Sequence, residues 1–167
     1  DGAPVVAGII GPKSGTAQDV SIDLLSPLEV LAHRYVVREG AFGTGTVEES
    51  SGKERTVPTV SSVTTDSIRW SGESLRSIAC RLGRLACSKP GGALPIDWPY
   101  VGEAGGHERT YDGFNVANSD VKTLITNLCN VEGGPDVQLR PYLADSRHLR
   151  WRMEAGSDAE PYLGNAP

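Results

Sequence analysis

Three phrases in the sequence begin like catalytic or nucleotide-binding motifs, and each of them is incomplete. Ser74 follows Gly-Glu as in the nucleophile elbow G-x-S-x-G, but the second glycine that the tight turn requires is missing. Lys53 follows a glycine as in a phosphate-binding loop, but Val47 occupies the position of the first glycine. His107 is followed by a glutamate as in the zinc-protease pattern H-E-x-x-H, but Tyr111 replaces the second histidine. The sequence therefore predicts no catalytic residue and a protein that is not an enzyme.

The other histidines and carboxylates predict no metal site and no cofactor. His33 falls on a predicted helix and His148 in a predicted hairpin turn, and neither has both an acidic and a nucleophilic neighbour in the sequence. We expect both to lie at the surface or to cap an element. Four carboxylates share one segment, but their spacing is not that of a calcium loop: Asp97, Glu103, Glu108 and Asp112.

The three cysteines, Cys80, Cys87 and Cys129, form no C-x-x-C pair and no zinc-ligand spacing. Cys80 and Cys87 fall on one predicted helix, where their separation puts the Cα atoms about 10 Å apart, beyond the reach of a disulfide. We therefore expect reduced thiols that pack as small hydrophobic side chains in an intracellular setting.

Length, charge and hydropathy limit the classes of protein to which the chain can belong and the partners it can bind. The 167 residues, 38% of them hydrophobic, suffice for one globular core. The net charge is -5 and the pI about 5.2, so neither duplex nucleic acid nor an anionic lipid surface attracts the chain as a whole. No apolar stretch reaches the roughly 18 residues that span a bilayer, and the N-terminus has no signal-peptide pattern. We expect a soluble protein and, because Asp1 leads almost directly into an apolar run, a piece of a longer chain.

Residues 1–40 predict a strand-strand-helix unit. Pro4–Ile10 is an apolar run, and Val20–Leu25 alternates apolar and polar residues as a half-buried strand does. Ser26 can cap a helix that we expect to extend over Pro27–Val37.

Residues 41–65 predict a flexible loop or arm. The stretch is rich in Gly, Ser, Thr and charged residues, which cannot build a core alone. Where the chain returns from this arm to the domain, a strand is expected near Val57–Val63.

Residues 66–167 predict a helix-loop-helix-hairpin unit, which can pack as one domain with residues 1–40. The first of its helices is expected over Gly72–Ser88, with apolar residues repeating every three or four positions on one face. The opposite face carries Arg76, Arg81 and Arg84. We interpret it as a solvated basic face, and the alternative is a site for an anion or an acidic partner.

A long loop is predicted over residues 90–115, because three prolines and six glycines interrupt it. Its aromatic side chains are expected either to contact another subunit or to cover the core. The cap of the third helix is expected in the run Asn118, Ser119 and Asp120. Val137–Leu143 and Leu149–Ala155 then alternate as the two strands of a hairpin, with Pro141 placing the first strand at an edge. The predicted fold class is α+β, a mixed or antiparallel sheet with three short amphipathic helices and a C-terminal β-hairpin.

The order of several phrases resembles that of minor tail proteins of actinobacterial siphophages, of the tail-hub kind. The phrases are Val6–Ile10, Val20–Leu25 and Arg34–Val37, then Gly92–Asp97 and Tyr111–Val116, then Gly133–Val137, Leu139–Pro141 and Leu149–Trp151.

This resemblance implies a structural virion protein, made in the host cytoplasm and located at the tail tip. It implies a homo-oligomer, a trimer in the virion, that binds other phage tail proteins and inserts into no membrane. DNA would pass through the assembly without sequence-specific binding. The chain would be a fragment of a hub with tube-like β domains.

Two other functions are alternatives to a tail-tip role. Ser71–Ala79 resembles the first half of a LysM glycan-binding module, and a cell-wall hydrolase-associated domain is the second alternative. For the tail-tip role, we predict that eight side chains contact partners: Trp98, Tyr100, Tyr111, Phe114, Arg140, Tyr142, Arg150 and Arg152.

Overall fold

The computed structural model describes residues 7–16, 19–36, 43–48, 54–59, 67–112 and 120–164. In this part of the chain the fold is α+β, with three helices and with antiparallel and mixed sheets, as predicted. The helices are α1 (Pro27–Leu31), α2 (Leu75–Cys87) and α3 (Val121–Cys129). The strands are β1 (Ile9–Gly15), β2 (Val20–Leu25), β3 (Gly43–Glu48), β4 (Glu54–Thr59), β5 (Ser67–Glu73), β6 (Ile96–Asp97), β7 (Ala104–Asp112), β8 (Val137–Leu143) and β9 (Leu149–Ala155).

Each helix begins at a polar side chain that accepts a hydrogen bond from the first turn. The hydroxyl of Ser26 accepts from the backbone N–H of Leu28 at 3.3 Å, as the sequence predicts. Ser74, which lies inside the helix predicted over Gly72–Ser88, is instead the N-cap of α2 and accepts from the N–H of Ser77 at 3.1 Å. These caps fix where each helix starts, because they satisfy backbone donors that have no partner within the helix.

Asp120 caps α3 with two hydrogen bonds from one residue. Its carboxylate accepts from the backbone N–H and from the hydroxyl of Thr123, both at 2.8 Å. Replacing Asp120 with alanine is expected to lower the free energy of unfolding by about 1 kcal/mol, since the N–H of Thr123 loses its partner. Urea unfolding measures the loss, and a larger loss in Asp120→Ala than in Asp120→Asn identifies the cap as its cause. Equal stability of Asp120→Ala and wild type would contradict it.

The prediction that the first helix extends to Val37 is wrong, because α1 ends at Leu31. A turn follows at Ala32 and His33, after which Tyr35 forms an antiparallel bridge with Asp120. The carbonyl of Arg34 accepts a hydrogen bond from the N–H of Val121 at 2.8 Å. A tertiary partner thus replaces the hydrogen bonds that a longer helix would have made within itself.

The core lies between α2, α3 and β9, and α1 packs on α3 at its side. Helix α2 buries Leu75, Ile78 and Leu82 almost completely, as its periodicity predicts. Cys80 is also buried, and this burial raises the pKa of its thiol to about 12. Cys80 therefore packs as a small hydrophobic residue, whereas two other free cysteines, Cys87 and Cys129, are only partly buried.

The prediction of one long loop over residues 90–115 is also wrong, because Ala104–Asp112 forms β7 and pairs antiparallel with β5. Two of the glycines that suggest a loop lie within this strand. A Cβ atom on Gly105 would collide with the backbone of Ser74, so this glycine allows β7 to approach the start of α2 closely. Glycine here marks a close contact of two backbones.

The C-terminal hairpin is confirmed, and it belongs to a three-stranded sheet in the order β6-β9-β8. Strand β9 is central, with β8 antiparallel on one side and the short β6 parallel on the other. Strand β8, which contains Pro141, is therefore an edge strand, as predicted. Trp151, Met153 and Ala155 of β9 point into the core, which confirms the predicted alternation.

The remaining strands form two separate hairpins. Strand β2 spans the predicted residues Val20–Leu25 and pairs with β1. Strands β3 and β4 pair with each other inside the segment predicted as a flexible loop or arm. Strand β4 begins before the predicted re-entry strand Val57–Val63, whose last four residues lie outside the described part of the chain.

Candidate protein-interaction surfaces

Four of the predicted contact residues lie on one face of the C-terminal sheet, which we call the basic sheet face: Arg140, Tyr142, Arg150 and Arg152. The register explains why they meet. Arg140 lies opposite Arg152, and Tyr142 lies opposite Arg150, on the antiparallel strands β8 and β9. Asp97 joins them from β6, where it pairs with Arg152.

Asp97 binds two of these side chains. Arg150 donates a hydrogen bond to it at 2.5 Å, and the hydroxyl of Tyr142 donates to its other oxygen. The guanidinium of Arg150, followed by the hydroxyl of Tyr142, holds the pKa of Asp97 below its ordinary value. Arg150 is thus occupied within the sheet, and its role here is to hold β6 against β9.

Arg140 and Arg152 remain more available to a partner. Arg140 is 3.6 Å from Glu154 in an exposed ion pair, which contributes little to stability. The guanidinium of Arg152 lies 5.4 Å from the centre of the Tyr142 ring and makes no ion pair with another described residue. A shallow cleft of about 240 Å³ opens beside them. The face can accept a carboxylate on Arg152, with Tyr142 as an aromatic contact.

Three of the predicted contact residues of the segment 90–115 pack against the core: Trp98, Tyr100 and Tyr111. Trp98 and Tyr100 are partly buried, and the guanidinium of Arg76 stacks on the Tyr100 ring at 4.2 Å. The Tyr111 ring lies 5.7 Å from that of Trp70, and burial raises the pKa of Tyr111 to about 12. These aromatics therefore cover the core, which is the second of the two interpretations drawn from the sequence. Phe114, the remaining predicted contact, lies outside the described residues.

The hairpin of β1 and β2 carries four exposed aliphatic side chains that the sequence analysis did not select. We call them the apolar ribbon: Ile9, Ile10, Leu24 and Leu25. Ile9 is paired with Leu25 and Ile10 with Leu24, so successive pairs lie on opposite faces of the hairpin. Ile10 and Leu24 are the more exposed pair, at 65% and 56%. The apolar run that ends at Ile10 was the signal that could have identified this surface.

A larger cleft of about 650 Å³ lies between α2 and β5, and we call it the α2–β5 cleft. Arg84 and Leu85 follow Arg81 by three and four residues on α2, so both lie beside it on one side of the helix. Ile68 and Trp70 alternate on β5 and line the same cleft. The sequence identified the arginines as a basic face but gave no sign that an apolar strand lies opposite them.

The histidines and carboxylates considered from the sequence form no common cluster among the described residues, and Asp97, Glu103 and Glu108 each bind an arginine. His33 and His148 are exposed, and His148 contacts Asp145 at 2.7 Å within the hairpin turn. His107 lies 3.4 Å from Asp158. Glu103 and Glu108 form ion pairs with Arg76 and Arg69. In the part of the chain that the structure describes, no three His, Cys, Asp or Glu side chains are grouped so as to hold a metal ion.

The described helices are all too short or too polar to cross a membrane. Comparison of the chain with protein-family models, with curated proteins and with solved structures gives no match.

Proposed function

We propose that this chain is a structural component of a phage tail tip, a baseplate-hub or minor tail protein that assembles with other tail subunits around the DNA conduit. The tail-tip part of the proposal is supported by the ordered phrases that resemble minor tail proteins. The more general part, that the chain binds other protein subunits, is supported by the apolar ribbon. This ribbon is the observation on which the proposal chiefly depends.

The exposure of the apolar ribbon is costly in an isolated chain. A two-stranded hairpin is at best marginally stable in water unless one of its faces is covered. Burying an aliphatic side chain of this size contributes about 1.5–3 kcal/mol. Ile10 and Leu24 would gain most from burial, since they lie side by side and more than half of each is exposed. A neighbouring subunit that packs on this pair stabilises both the hairpin and the assembly.

The free edges of the hairpin offer a second mode of contact. Among the described residues, β1 and β2 pair only with each other, so the outer edge of each strand keeps backbone donors and acceptors. A strand of a neighbouring subunit can extend such an edge by main-chain hydrogen bonds. Subunits that repeat this contact around an axis form a closed ring, the arrangement expected of a tube component.

The basic sheet face provides a polar contact that complements the ribbon. Arg140 and Arg152 suit an acidic patch on a partner, and charges at the rim of an interface mainly affect the association rate and the choice of partner. The overall charge of -5 also suits a protein around a DNA conduit, because a strongly basic lumen would bind the phosphates of the passing DNA.

The apolar ribbon predicts concentration-dependent self-association. The variant Ile10→Glu/Leu24→Glu is expected to weaken it by at least about tenfold, because two charges would be buried at the contact. Sedimentation velocity over a hundredfold range of concentration measures the mass of wild type and variant. Because both side chains are largely exposed, the variant should keep the circular dichroism of the wild type and, at concentrations where both are monomeric, its melting temperature.

The matched control for this experiment is Tyr162→Glu, which introduces a charge at a side chain that is 77% exposed outside the ribbon. The control should associate as the wild type does. A wild-type chain that is monomeric at every concentration, or a double variant that associates equally well, would count against assembly through the ribbon.

Location at the tail tip requires a separate experiment. Immunogold electron microscopy with an antibody against the chain should label one end of the tails of virions that contain it. Labelling along the whole tail or on the capsid would exclude a tip protein, and absence of the chain from purified virions by mass spectrometry would exclude a virion protein.

A further inference from the structure

We propose that the α2–β5 cleft binds an extended acidic segment of a partner protein, with a carboxylate of the segment on Arg84 and a neighbouring apolar side chain on Trp70. The proposal goes beyond assembly through the apolar ribbon, because the cleft shares no residue with the ribbon or with the basic sheet face. Either proposal can therefore fail without the other.

The charges around the cleft favour an anionic ligand. Its lining includes Arg69, Arg81 and Arg84 and no acidic side chain. Arg69 and Arg81 each have a carboxylate partner of their own, Glu108 and Glu73, at 2.7 Å. Arg84 is exposed and makes no hydrogen bond or ion pair with any other described residue. One guanidinium is thus free to bind a carboxylate, which suits it because its planar donors match the two oxygens.

The apolar part of the cleft favours a ligand with a hydrophobic group next to the carboxylate. Ile68, Trp70, Leu85 and Val101 line the cleft and are all partly buried. The Trp70 ring packs against the Tyr111 ring, with 5.7 Å between their centroids, which limits the orientations it can adopt. Tryptophan and arginine are both enriched among the residues that dominate binding energy at protein interfaces. A simple inorganic anion would leave this part of the cleft in contact with water.

Strand β5 favours an extended segment of protein over a small molecule. In the described part of the chain β5 pairs only with β7, so its other edge keeps main-chain donors and acceptors for an added strand. Side chains of an added strand alternate in direction, so every second one would face the cleft. A volume of about 650 Å³ accommodates two or three such side chains.

Arg84 also has a possible role in helix stability, since it lies in the last turn of α2. A cation there interacts favourably with the helix dipole, and the contribution is small. This role explains the charge but not the apolar lining opposite it. The two roles are separable, because the dipole affects stability alone whereas a ligand site affects binding.

The test uses a labelled octapeptide of alternating glutamate and leucine as the probe. Fluorescence anisotropy should show saturable binding to the wild-type chain that weakens as salt is added. Peptides of alternating lysine and leucine, or of glutamate and serine, should bind at least about tenfold more weakly, since each lacks one of the two features. Arg84→Glu should weaken binding of the first peptide by about 10- to 100-fold.

Arg147→Glu is the matched control, with the same change of charge in the exposed turn between β8 and β9. It should bind the probe as the wild type does, and both variants should melt within a few degrees of it. Arg84→Glu binding as well as Arg147→Glu would overturn the site. Octanoate binding as tightly as the peptide would overturn the choice of a protein segment, and failure of all probes to bind would overturn the proposal as a whole.

Discussion

Replacing Gly83 with valine is expected to lower the free energy of unfolding by about 1 to 3 kcal/mol, because the new side chain would overlap the ring of Trp98. Gly83 lies on the buried face of α2, and even a single Cβ atom there would collide with the edge of the six-membered ring. Trp98 is partly buried against the core, so its ring cannot move aside without opening the contact between α2 and the segment before β7.

The sign of this effect is informative. At an open position in a helix, replacing glycine with a residue that has a Cβ usually stabilises the helix, by up to about 1 kcal/mol for alanine. Destabilisation at Gly83 would therefore report the packing of Trp98 and not helix propensity. Gly106→Val is the control, because nothing lies within 4 Å of a Cβ at that position of β7.

Chemical denaturation of Gly83→Val, Trp98→Leu and the double variant tests this contact directly. The smaller leucine should remove part of the collision, so the double variant should lose less stability than the sum of the two single variants. Unchanged stability of Gly83→Val would mean that Trp98 does not rest on α2. In that case Trp98 would again be available as the partner contact that the sequence suggested.

Replacing Arg76 with methionine is expected to lower the free energy of unfolding by about 1 to 3 kcal/mol. Breaking a fully buried ion pair would cost more, because water still reaches both Arg76 and its partner. Arg76 donates two hydrogen bonds of 2.5 Å to the carboxylate of Glu103 and one of 3.2 Å to the carbonyl of Ala155. Its guanidinium also stacks on Tyr100. One side chain thus joins α2, the segment before β7 and the end of β9.

The same variant should also change the pH dependence of stability. The hydrogen bonds from Arg76 hold the pKa of Glu103 below the 4.5 of an unperturbed glutamate. A carboxyl group with a lowered folded-state pKa contributes stability that is complete above its unfolded pKa and is lost as the pH falls through the folded one. Stability should therefore decrease from about pH 5 downward, and Arg76→Met should decrease less steeply.

Urea unfolding at a series of pH values from neutral to acid measures both the loss of stability and the change in its pH dependence. Arg69→Met is the control, because the ion pair between Arg69 and Glu108 is exposed on both sides and should contribute little. If the two variants were equally stable at neutral pH, the proposed link through Arg76 would be refuted. If the free energy of unfolding of the two variants decreased equally steeply as the pH falls, the pairing of Arg76 with Glu103 in solution would be refuted.

The predicted contact residues fall into two groups: those whose neighbours in the structure could be inferred from the sequence, and those whose neighbours could not. Arg140, Tyr142, Arg150 and Arg152 occupy alternate positions of the two predicted strands, and they share one face because a hairpin with a short turn fixes its own register. Trp98, Tyr100 and Tyr111 were not distinguishable from exposed residues, since the strand that contains Tyr111 has no clear alternation of its own. That Arg150 binds Asp97 could not be inferred either, because β6 is only two residues long.

The sequence by itself determined the buried faces of the longer helices, the caps of α1 and α3 and the C-terminal hairpin, because these follow from interactions within a few residues along the chain. Only the tertiary structure decided where the first helix stops, that Ala104–Asp112 is a strand, and that a basic helix face and an apolar strand enclose one cleft. Each of these depends on segments distant in sequence, such as Ser67–Glu73 and its partner strand β7. Local periodicity contains no information on which distant segment will supply the missing hydrogen bonds or cover the apolar side chains.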